Sequence, residues 1–138
     1  MQAFLRLLLL ACTLLGTAAR AADEYVVIAH AGVPRVDAAT LQRLYMGRAI
    51  EVAGAPVTVV NAAPGTGARE RFLAQVVNLD NERYVAYWTV RRHVGKGVPP
   101  REFRSAAEIV DYVQATPGAL GYIPLADLKP GLNVVFRP

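Results

Sequence analysis

The sequence predicts an α/β domain in which short buried strands alternate with amphipathic helices around a sheet that is at least partly parallel. One observation is that four short, largely apolar runs have the length and composition of strands. They lie at 25–29, 57–60, 119–123 and 133–136. The other observation is that segments with apolar residues at helical spacing lie between these runs. Strands that alternate with helices along a chain are typical of a layered α/β structure.

The first residues have the order of a secretory signal peptide. Arg6 precedes the apolar run 7–15, and small residues follow as far as Ala21. This order predicts cleavage after Ala21 and export to the periplasm. The apolar run is too short to span a bilayer, which takes about 20 residues. A lipoprotein signal that ends at Cys12 is the alternative, and it is less favoured because the apolar run continues past the cysteine.

The residues that remain after cleavage, 22–138, are enough for one domain with a modest core. Arg6 and Arg20 leave with the signal peptide, so the net charge falls below the +4 of the whole chain. A nearly neutral, exported domain is not expected to bind nucleic acid. The single cysteine leaves as well, so neither a disulfide nor a thiolate metal site is predicted. His30 and His93 lack the spacing of a metal motif, and we expect neither a metal nor another cofactor.

The first half of the predicted domain contains two strands and a helix. The run 25–29 is the first strand. Asp37 is expected to cap a helix that ends at Gly47. The apolar face of this helix comprises Leu41, Leu44 and Tyr45. The run 57–60 is the second strand, and a loop over 61–67 follows it.

The second half is predicted to hold three more helices. The first follows the loop at 61–67 and carries Phe72, Leu73 and Val76 on one side. The second spans about 81–93 and is broken by the glycines and prolines of 95–100. The third begins after Ser105, which forms a capping box with Glu108.

The loop after the second strand is the candidate binding site. Ligands of such sheets usually lie beyond the carboxyl ends of the strands, where loops lead into helices. Two glycines allow close approach of the backbone, and the helix start offers unpaired N–H groups and a positive dipole. With the hydroxyl of Thr66 and the charge of Arg69, the loop suits an oxyanion such as phosphate, sulfate or a carboxylate. A tight turn without a ligand is the alternative. The predicted ligand-binding residues are Asn61, Gly65, Thr66, Gly67, Ala68 and Arg69.

Several segments share their order with a known family. They are 41–48, then 57–61 leading into Gly65, Thr66 and Gly67, then Tyr87 and Trp88 with 95–97 and 99–100, and finally 118–123. These segments occur in the same order along almost the whole of 22–138, and in them the chain resembles the periplasmic phosphate-binding proteins of ABC transporters. The resemblance implies one three-layer lobe of the type II periplasmic binding protein fold, a mixed sheet flanked by helices. It also implies that Thr66, Gly67 and Ala68 correspond to the Ser-Gly-Thr loop that holds phosphate in the family.

Three departures from the family weaken the expected phosphate contacts. Ala68 lacks the threonine hydroxyl, Asn61 stands where an arginine is expected, and no acidic residue precedes Thr66. The family also closes two lobes over its ligand, whereas 22–138 amount to little more than one, and a solvent-open site weakens charge-assisted contacts. We therefore expect weak anion binding. We further expect Arg69→Ala to reduce this binding and to leave the fold intact.

Two non-enzymatic functions remain open on the sequence. The first is a solute-binding domain that captures a phosphate-like oxyanion in connection with ABC-type phosphate transport. The second is an interaction or sensory subunit that keeps the fold without ligand capture and contacts a membrane transporter or sensor protein. Catalysis is not expected, because the predicted domain has neither a cysteine nucleophile nor a nucleophile-elbow pattern.

Aromatic and basic residues are concentrated between 84 and 104. Tyr84, Tyr87, Trp88 and Arg91 recur at helical spacing, which favours a core stripe with a charge at its edge over an aromatic binding platform. The basic residues of this region are Arg91, Arg92, Lys96, Arg101 and Arg104. A solvated face is the default interpretation of this basic stretch, and an acidic partner or lipid head groups are the alternative.

Overall fold

The computed structural model describes residues 24–138, so the predicted signal peptide and Cys12 lie outside the described residues. No helix in this range is long and apolar enough to cross a membrane. The elements are β1 (Tyr25–Ala29), α1 (Ala38–Tyr45), β2 (Glu51–Val52), β3 (Ala55–Pro56), β4 (Thr58–Ala62), α2 (Gly67–Phe72) with a π-helical continuation (Leu73–Val77), α3 (Asn81–His93), β5 (Arg101–Phe103), α4 (Ala106–Ala115), β6 (Ala119–Pro124), a 3-10 turn (Leu125–Asp127) and β7 (Asn133–Phe136).

Five strands form one mixed sheet in the order β5-β4-β6-β1-β7. β4 runs parallel to both of its neighbours, β5 and β6. β1 runs antiparallel to β6 and β7. The prediction of a partly parallel sheet is therefore confirmed. Because β4 and β5 run in the same direction, their carboxyl ends meet at one edge of the sheet, where the chain leaves for α2.

Helices cover both faces of the sheet, and adjacent residues of β6 show this. A Cβ at Gly121 would meet Ile109 and Val113 of α4, so Gly121 faces that helix. The ring of Tyr122 points the other way and stacks on Phe72 of α2, with ring centroids 4.1 Å apart. Successive residues of a strand face opposite sides of a sheet, so α4 and α2 lie in different layers. The central strands are buried on both sides, as expected for the middle of three layers.

The predicted boundaries of α1 are confirmed. The Asp37 carboxylate accepts a hydrogen bond of 2.8 Å from the N–H of Thr40, and this bond lowers the pKa of Asp37. The helix ends at Tyr45, and Gly47 follows with a φ of +67°. A Cβ at Gly47 would lie 2.6 Å from the Trp88 ring, so both the backbone conformation and the contact with α3 require glycine here.

The helices of the second half also match their predicted positions. Asp80 caps α3, which spans Asn81–His93. Ser105 caps α4 by accepting a bond from the N–H of Glu108, but the Glu108 carboxylate accepts from the N–H of Arg104 rather than from that of the capping residue. The capping box is thus formed in a version shifted by one residue.

The structure corrects the sequence prediction at three places. β4 spans Thr58–Ala62 instead of 57–60, so Asn61 belongs to a strand and not to the loop, because it pairs with Glu102 of β5. β5 was not predicted, since its three residues are too short and too polar to show a strand pattern. The hairpin of β2 and β3 was also missed. It turns at Ala53 and Gly54, which both have positive φ, as a type I′ hairpin turn requires.

Candidate functional site

The loop between β4 and α2 lies at the edge of the sheet where β4 and β5 both end. The N–H of Ala63 donates to the carbonyl of Phe103 at 2.8 Å, which ties the start of the loop to β5. Pro64 and Gly65 are exposed at its tip, and Gly65 has a φ of +93°. The sequence-predicted position of the loop, beyond the carboxyl end of a parallel strand, is therefore confirmed.

Thr66 caps α2. Its Oγ1 accepts a hydrogen bond from the N–H of Arg69 at 3.3 Å and donates one to the carbonyl of Ala63 at the same distance. The hydroxyl proton is thus used within the loop. Thr66 can offer a bound anion its backbone N–H group, and the hydroxyl contact that we expected from the sequence is replaced by this capping role.

The first turn of α2 carries the donors that a ligand could use. Gly67 and Ala68 are the first two helical residues, and the N–H groups at these positions have no acceptor within a helix. The helix continues without interruption through its π-helical part to Val77, so the positive end of an extended helical segment lies at this turn. An oxyanion at the loop would accept hydrogen bonds from these backbone groups.

Asn61 lies in the core, where its side chain joins a network of buried tyrosines. Its Oδ1 accepts from the hydroxyl of Tyr122 at 3.0 Å, and its Nδ2 donates to the hydroxyl of Tyr84 at 3.1 Å. Tyr84 in turn donates to the carbonyl of Tyr45. Only 1 % of Asn61 is exposed, so these partners are what allow an amide to be buried there. Asn61 therefore belongs to the strand that leads into the loop and is not part of the loop itself.

Arg69 is the most informative residue of the predicted site, because its guanidinium group is turned inward. Its Nε donates to Oδ1 of Asn81 at 2.9 Å, and its Nη1 donates to the carbonyl of Ala62 at 2.9 Å. Nη1 also lies 3.3 Å from Oε1 of Glu102, whose side chain is 44 % exposed. Arg69 itself is 1 % exposed, and its Nη2 is buried without an acceptor among the described residues.

Beneath the loop, a pocket of about 130 Å³ lies between β4, β5 and α3, and we call it the Arg69 pocket. Asn61 and Arg69 contribute to its floor, and Tyr84 and Trp88 of α3 form its walls. Gly65, Thr66, Gly67 and Ala68 do not line it. The structure therefore divides the six predicted residues between two neighbouring places, the exposed turn and the pocket below it. This division could not be predicted from the sequence, since it depends on the direction of the Arg69 side chain.

The aromatic stripe of α3 packs into the protein, as predicted. Tyr84 and Trp88 are almost fully buried, and the Trp88 indole N–H donates to the carbonyl of Tyr45 at 3.2 Å. Arg91 lies over the rings of Tyr87 and Trp88 and donates from Nη2 to the carbonyl of Gly47 at 3.1 Å. Arg91 therefore fixes the end of α1 against α3 and is not a free member of the basic stretch.

Burial raises the pKa of four tyrosines in this core. Loss of solvent contact is the main cause for each of them, and it raises the pKa of Tyr25 to about 12. The pKa values of Tyr45, Tyr84 and Tyr122 are raised for the same reason. All four hydroxyls are therefore neutral at physiological pH and add no charge near the loop.

The histidines lie away from this site. His30 follows β1, and its Nδ1 lies 3.1 Å from the carbonyl of Val113 in α4. It borders a groove on the side of the β2–β3 hairpin, together with Val52 and Gly118. His30 therefore does not face the loop between β4 and α2. Within residues 24–138, no three histidine, cysteine, aspartate or glutamate side chains are grouped as a metal site requires.

Comparison of the fold with solved structures identifies similar proteins. A protein from Clostridium perfringens, described as a phosphate ABC transporter substrate-binding protein with bound phosphate, matches with a TM-score of 0.62 at 20 % identity. The alignment covers 81 % of this chain and 44 % of that protein. An ABC-type phosphate transport receptor from Vibrio cholerae matches with a TM-score of 0.62 at 16 % identity, covering 81 % and 45 %. PstS from Borrelia burgdorferi matches with a TM-score of 0.57 at 16 % identity, covering 81 % and 46 %.

No protein-family model and no curated protein matches the chain by sequence. The chain spans less than half the length of each of the solved proteins named above. At this level of identity the likeness concerns the fold. The predicted fold class is confirmed: the described residues form a mixed sheet flanked by helices, as in one lobe of the phosphate-binding proteins.

Proposed function

We propose that this chain is an exported, periplasmic solute-binding domain that holds phosphate or a similar oxyanion at the first turn of α2, in connection with ABC-type transport. The observation that carries the proposal is the pair of N–H groups of Gly67 and Ala68, which have no intrahelical acceptor. They lie at the carboxyl edge of the sheet, where ligands of such folds bind. The similarity in fold to phosphate-binding proteins supports the same class of ligand.

The chemistry of the turn favours weak binding over tight capture. Backbone N–H groups and the helix dipole attract an anion, but the Arg69 guanidinium is directed into the core and already contacts Ala62, Asn81 and Glu102. The oxyanion would therefore bind without a formal positive charge in direct contact. The tip of the loop is exposed and Gly67 is partly exposed, so water competes for the Gly67 donor, whereas Ala68 is only 3 % exposed. Binding, not catalysis, is the activity that such a turn supports.

Export and a transporter partner are part of the same proposal. The signal-peptide pattern before Ala21 would deliver the domain to the compartment in which solutes are collected for ABC transporters. A weak oxyanion site on a domain of this fold is suited to present its ligand to a membrane transporter or to a sensor protein. Either partner would distinguish the loop with a bound oxyanion from the loop without one.

A substitution of Gly67 tests the site, because it can remove one donor without disturbing the helix. Proline is favoured at the first helical position and lacks an N–H group. Thr66, the residue before it, already has the extended conformation that proline requires, with φ −84° and ψ 142°. We expect Gly67→Pro to weaken phosphate binding at least about fivefold, as judged by isothermal titration at low ionic strength.

The matched control is Gly67→Ala, which adds a side chain at the same position and keeps the N–H group. We expect this variant to bind phosphate within about twofold of the parent protein. Equal affinity in the proline, alanine and parent proteins would show that the first turn of α2 is not the site. The absence of heat with phosphate and sulfate in the parent protein would reject oxyanion binding altogether.

A further inference from the structure

One polar group at the Arg69 pocket lacks a hydrogen-bond partner among the described residues. The Nη2 group of Arg69 is buried without an acceptor in residues 24–138, although the other two guanidinium nitrogens have acceptors. A buried donor without a partner is destabilising, and such groups are rare in folded proteins. A pocket lies directly against this side chain, so a molecule bound there could supply the missing acceptor.

The neighbouring side chains restrict the charge of that molecule. Arg69 and Arg92 are the positive residues of the lining, and Glu102 is the negative one. The lining thus has one excess positive charge, which a monoanion neutralises. A dianion such as hydrogen phosphate would bring a second negative charge close to Glu102, and this repulsion is strong where solvent is partly excluded.

The walls restrict the shape of the molecule. The side chains of Tyr84, Val85 and Trp88 provide an apolar surface on α3, and the volume of about 130 Å³ admits only a few heavy atoms. A planar carboxylate fits the fork of an arginine, since its two oxygens can accept from two guanidinium nitrogens at once. A short alkyl group on that carboxylate would contact the aromatic walls.

Glu102 already occupies part of the place that such a carboxylate would take. Its Oε1 lies 3.3 Å from Nη1 of Arg69, which is long for a charge-assisted hydrogen bond, and its side chain is 44 % exposed. A contact of this kind is weak and can be given up at little cost. An incoming carboxylate could replace Glu102 on Nη1 and provide Nη2 with its acceptor.

We propose that the Arg69 pocket is a binding site for short monocarboxylates, separate from the oxyanion site at the first turn of α2. Arg69 holds the carboxylate by its fork, Glu102 is the internal counter-ion that the ligand displaces, and Arg92 attracts the ligand at the rim. Trp88 contacts the alkyl part. The site selects monoanions, because a dianion would bring a second negative charge close to Glu102.

The only tryptophan of the chain lies in this pocket, so its fluorescence reports on occupancy. The purified protein is titrated with sodium propionate and sodium acetate, with sodium chloride as the control for ionic strength and sodium sulfate as a dianion that should give no saturable change. We expect a saturable change in Trp88 fluorescence with the two carboxylates and no saturable change with chloride. A response to the carboxylates that follows the chloride curve would overturn the proposal and indicate a pocket filled by water.

Two variants assign the response to the pocket. Val85 is 46 % exposed at the pocket wall, so Val85→Phe fills the pocket without disturbing the core, and we expect it to weaken propionate binding at least about tenfold. Val90→Phe, on the same helix but outside the pocket, is the matched control and should bind as the parent does.

Glu102→Ala removes the competing carboxylate and should tighten binding about threefold or more. Unchanged affinity in both Val85→Phe and Glu102→Ala would contradict the assignment.

The same measurement separates this proposal from the oxyanion proposal. The variant Gly67→Pro should keep the full fluorescence response to propionate, because it alters only the turn above the pocket. Loss of the propionate response in this variant would show that the two sites are one. Conversely, phosphate binding that persists when propionate gives no response would reject the pocket and leave the first turn of α2 as the site.

Discussion

Arg69 belongs to both candidate sites, because its backbone lies in the first turn of α2 and its guanidinium group lies in the Arg69 pocket. Its backbone N–H is used by the Thr66 cap, and its guanidinium group joins the end of β4 to the start of α3 and to β5. Arginine suits this position because its flat group can donate in several directions at once. A residue that the sequence indicates as a ligand contact is thus also a structural residue.

The substitution Arg69→Ala should therefore destabilise the fold, whereas the sequence alone indicated that the fold would tolerate it. It removes the donors to the Ala62 carbonyl and to Asn81 and leaves a cavity in the core. We expect the free energy of unfolding to fall by about 2–4 kcal/mol, as measured by denaturant unfolding followed by circular dichroism.

The control for this prediction is Arg83→Ala. The Arg83 side chain is 76 % exposed, and its nearest ion-pair contact, with Asp80, is 3.9 Å long. This change should cost less than about 1 kcal/mol. If Arg69→Ala proved as mild as Arg83→Ala, the bonds that we assign to the guanidinium group would not contribute to stability.

At the scale of the elements, the sequence predicts best those segments whose local signals and packing agree. α1 and α4 have side-chain caps and regular apolar faces, and both were located correctly. β5 and the β2–β3 hairpin were missed, because they are two or three residues long and mostly exposed. Such short strands form because they pair with other strands, and a local sequence pattern does not show which segments will pair.

The candidate site was likewise predicted only where local sequence signals determine it. The position of the loop between β4 and α2 follows from the order of strand, glycines and helix, and the sequence sufficed to find it. The burial of Asn61 could not be foreseen, since its partners Tyr84 and Tyr122 are distant in the chain. The Arg69 pocket was missed for a similar reason, because Glu102 belongs to a strand that the sequence did not reveal.

At the scale of the whole molecule, the tyrosine core makes stability sensitive to alkaline pH. Burial raises the pKa of Tyr25 to about 12 in the folded protein, above the ordinary value of 10.0, and the pKa of Tyr45 is raised as well. Below pH 10 both states keep the proton, and the full stability is present. As the pH rises through 10 toward 12, the unfolded chain loses protons first, so stability falls. Denaturant unfolding at about pH 8 and about pH 11 should show this loss.

Tyr25→Phe provides a matched variant for the alkaline prediction. The Tyr25 hydroxyl is buried and has no partner among the described residues, so its removal should not reduce stability at neutral pH. The variant should lose less stability than the parent between the two pH values. An identical loss in the two proteins would show that Tyr25 does not contribute to the alkaline transition.

The central claim is that an oxyanion binds at the first turn of α2, and the backbone amides themselves can report on it. The most direct measurement is a titration of the isotope-labelled protein with phosphate, followed by the NMR signals of backbone N–H groups. Hydrogen bonds to an anion should shift the Gly67 and Ala68 signals progressively and to saturation, with smaller shifts at more distant residues. If these two signals stay in place while phosphate is added, or if saturating shifts appear only elsewhere, the account of this site is contradicted.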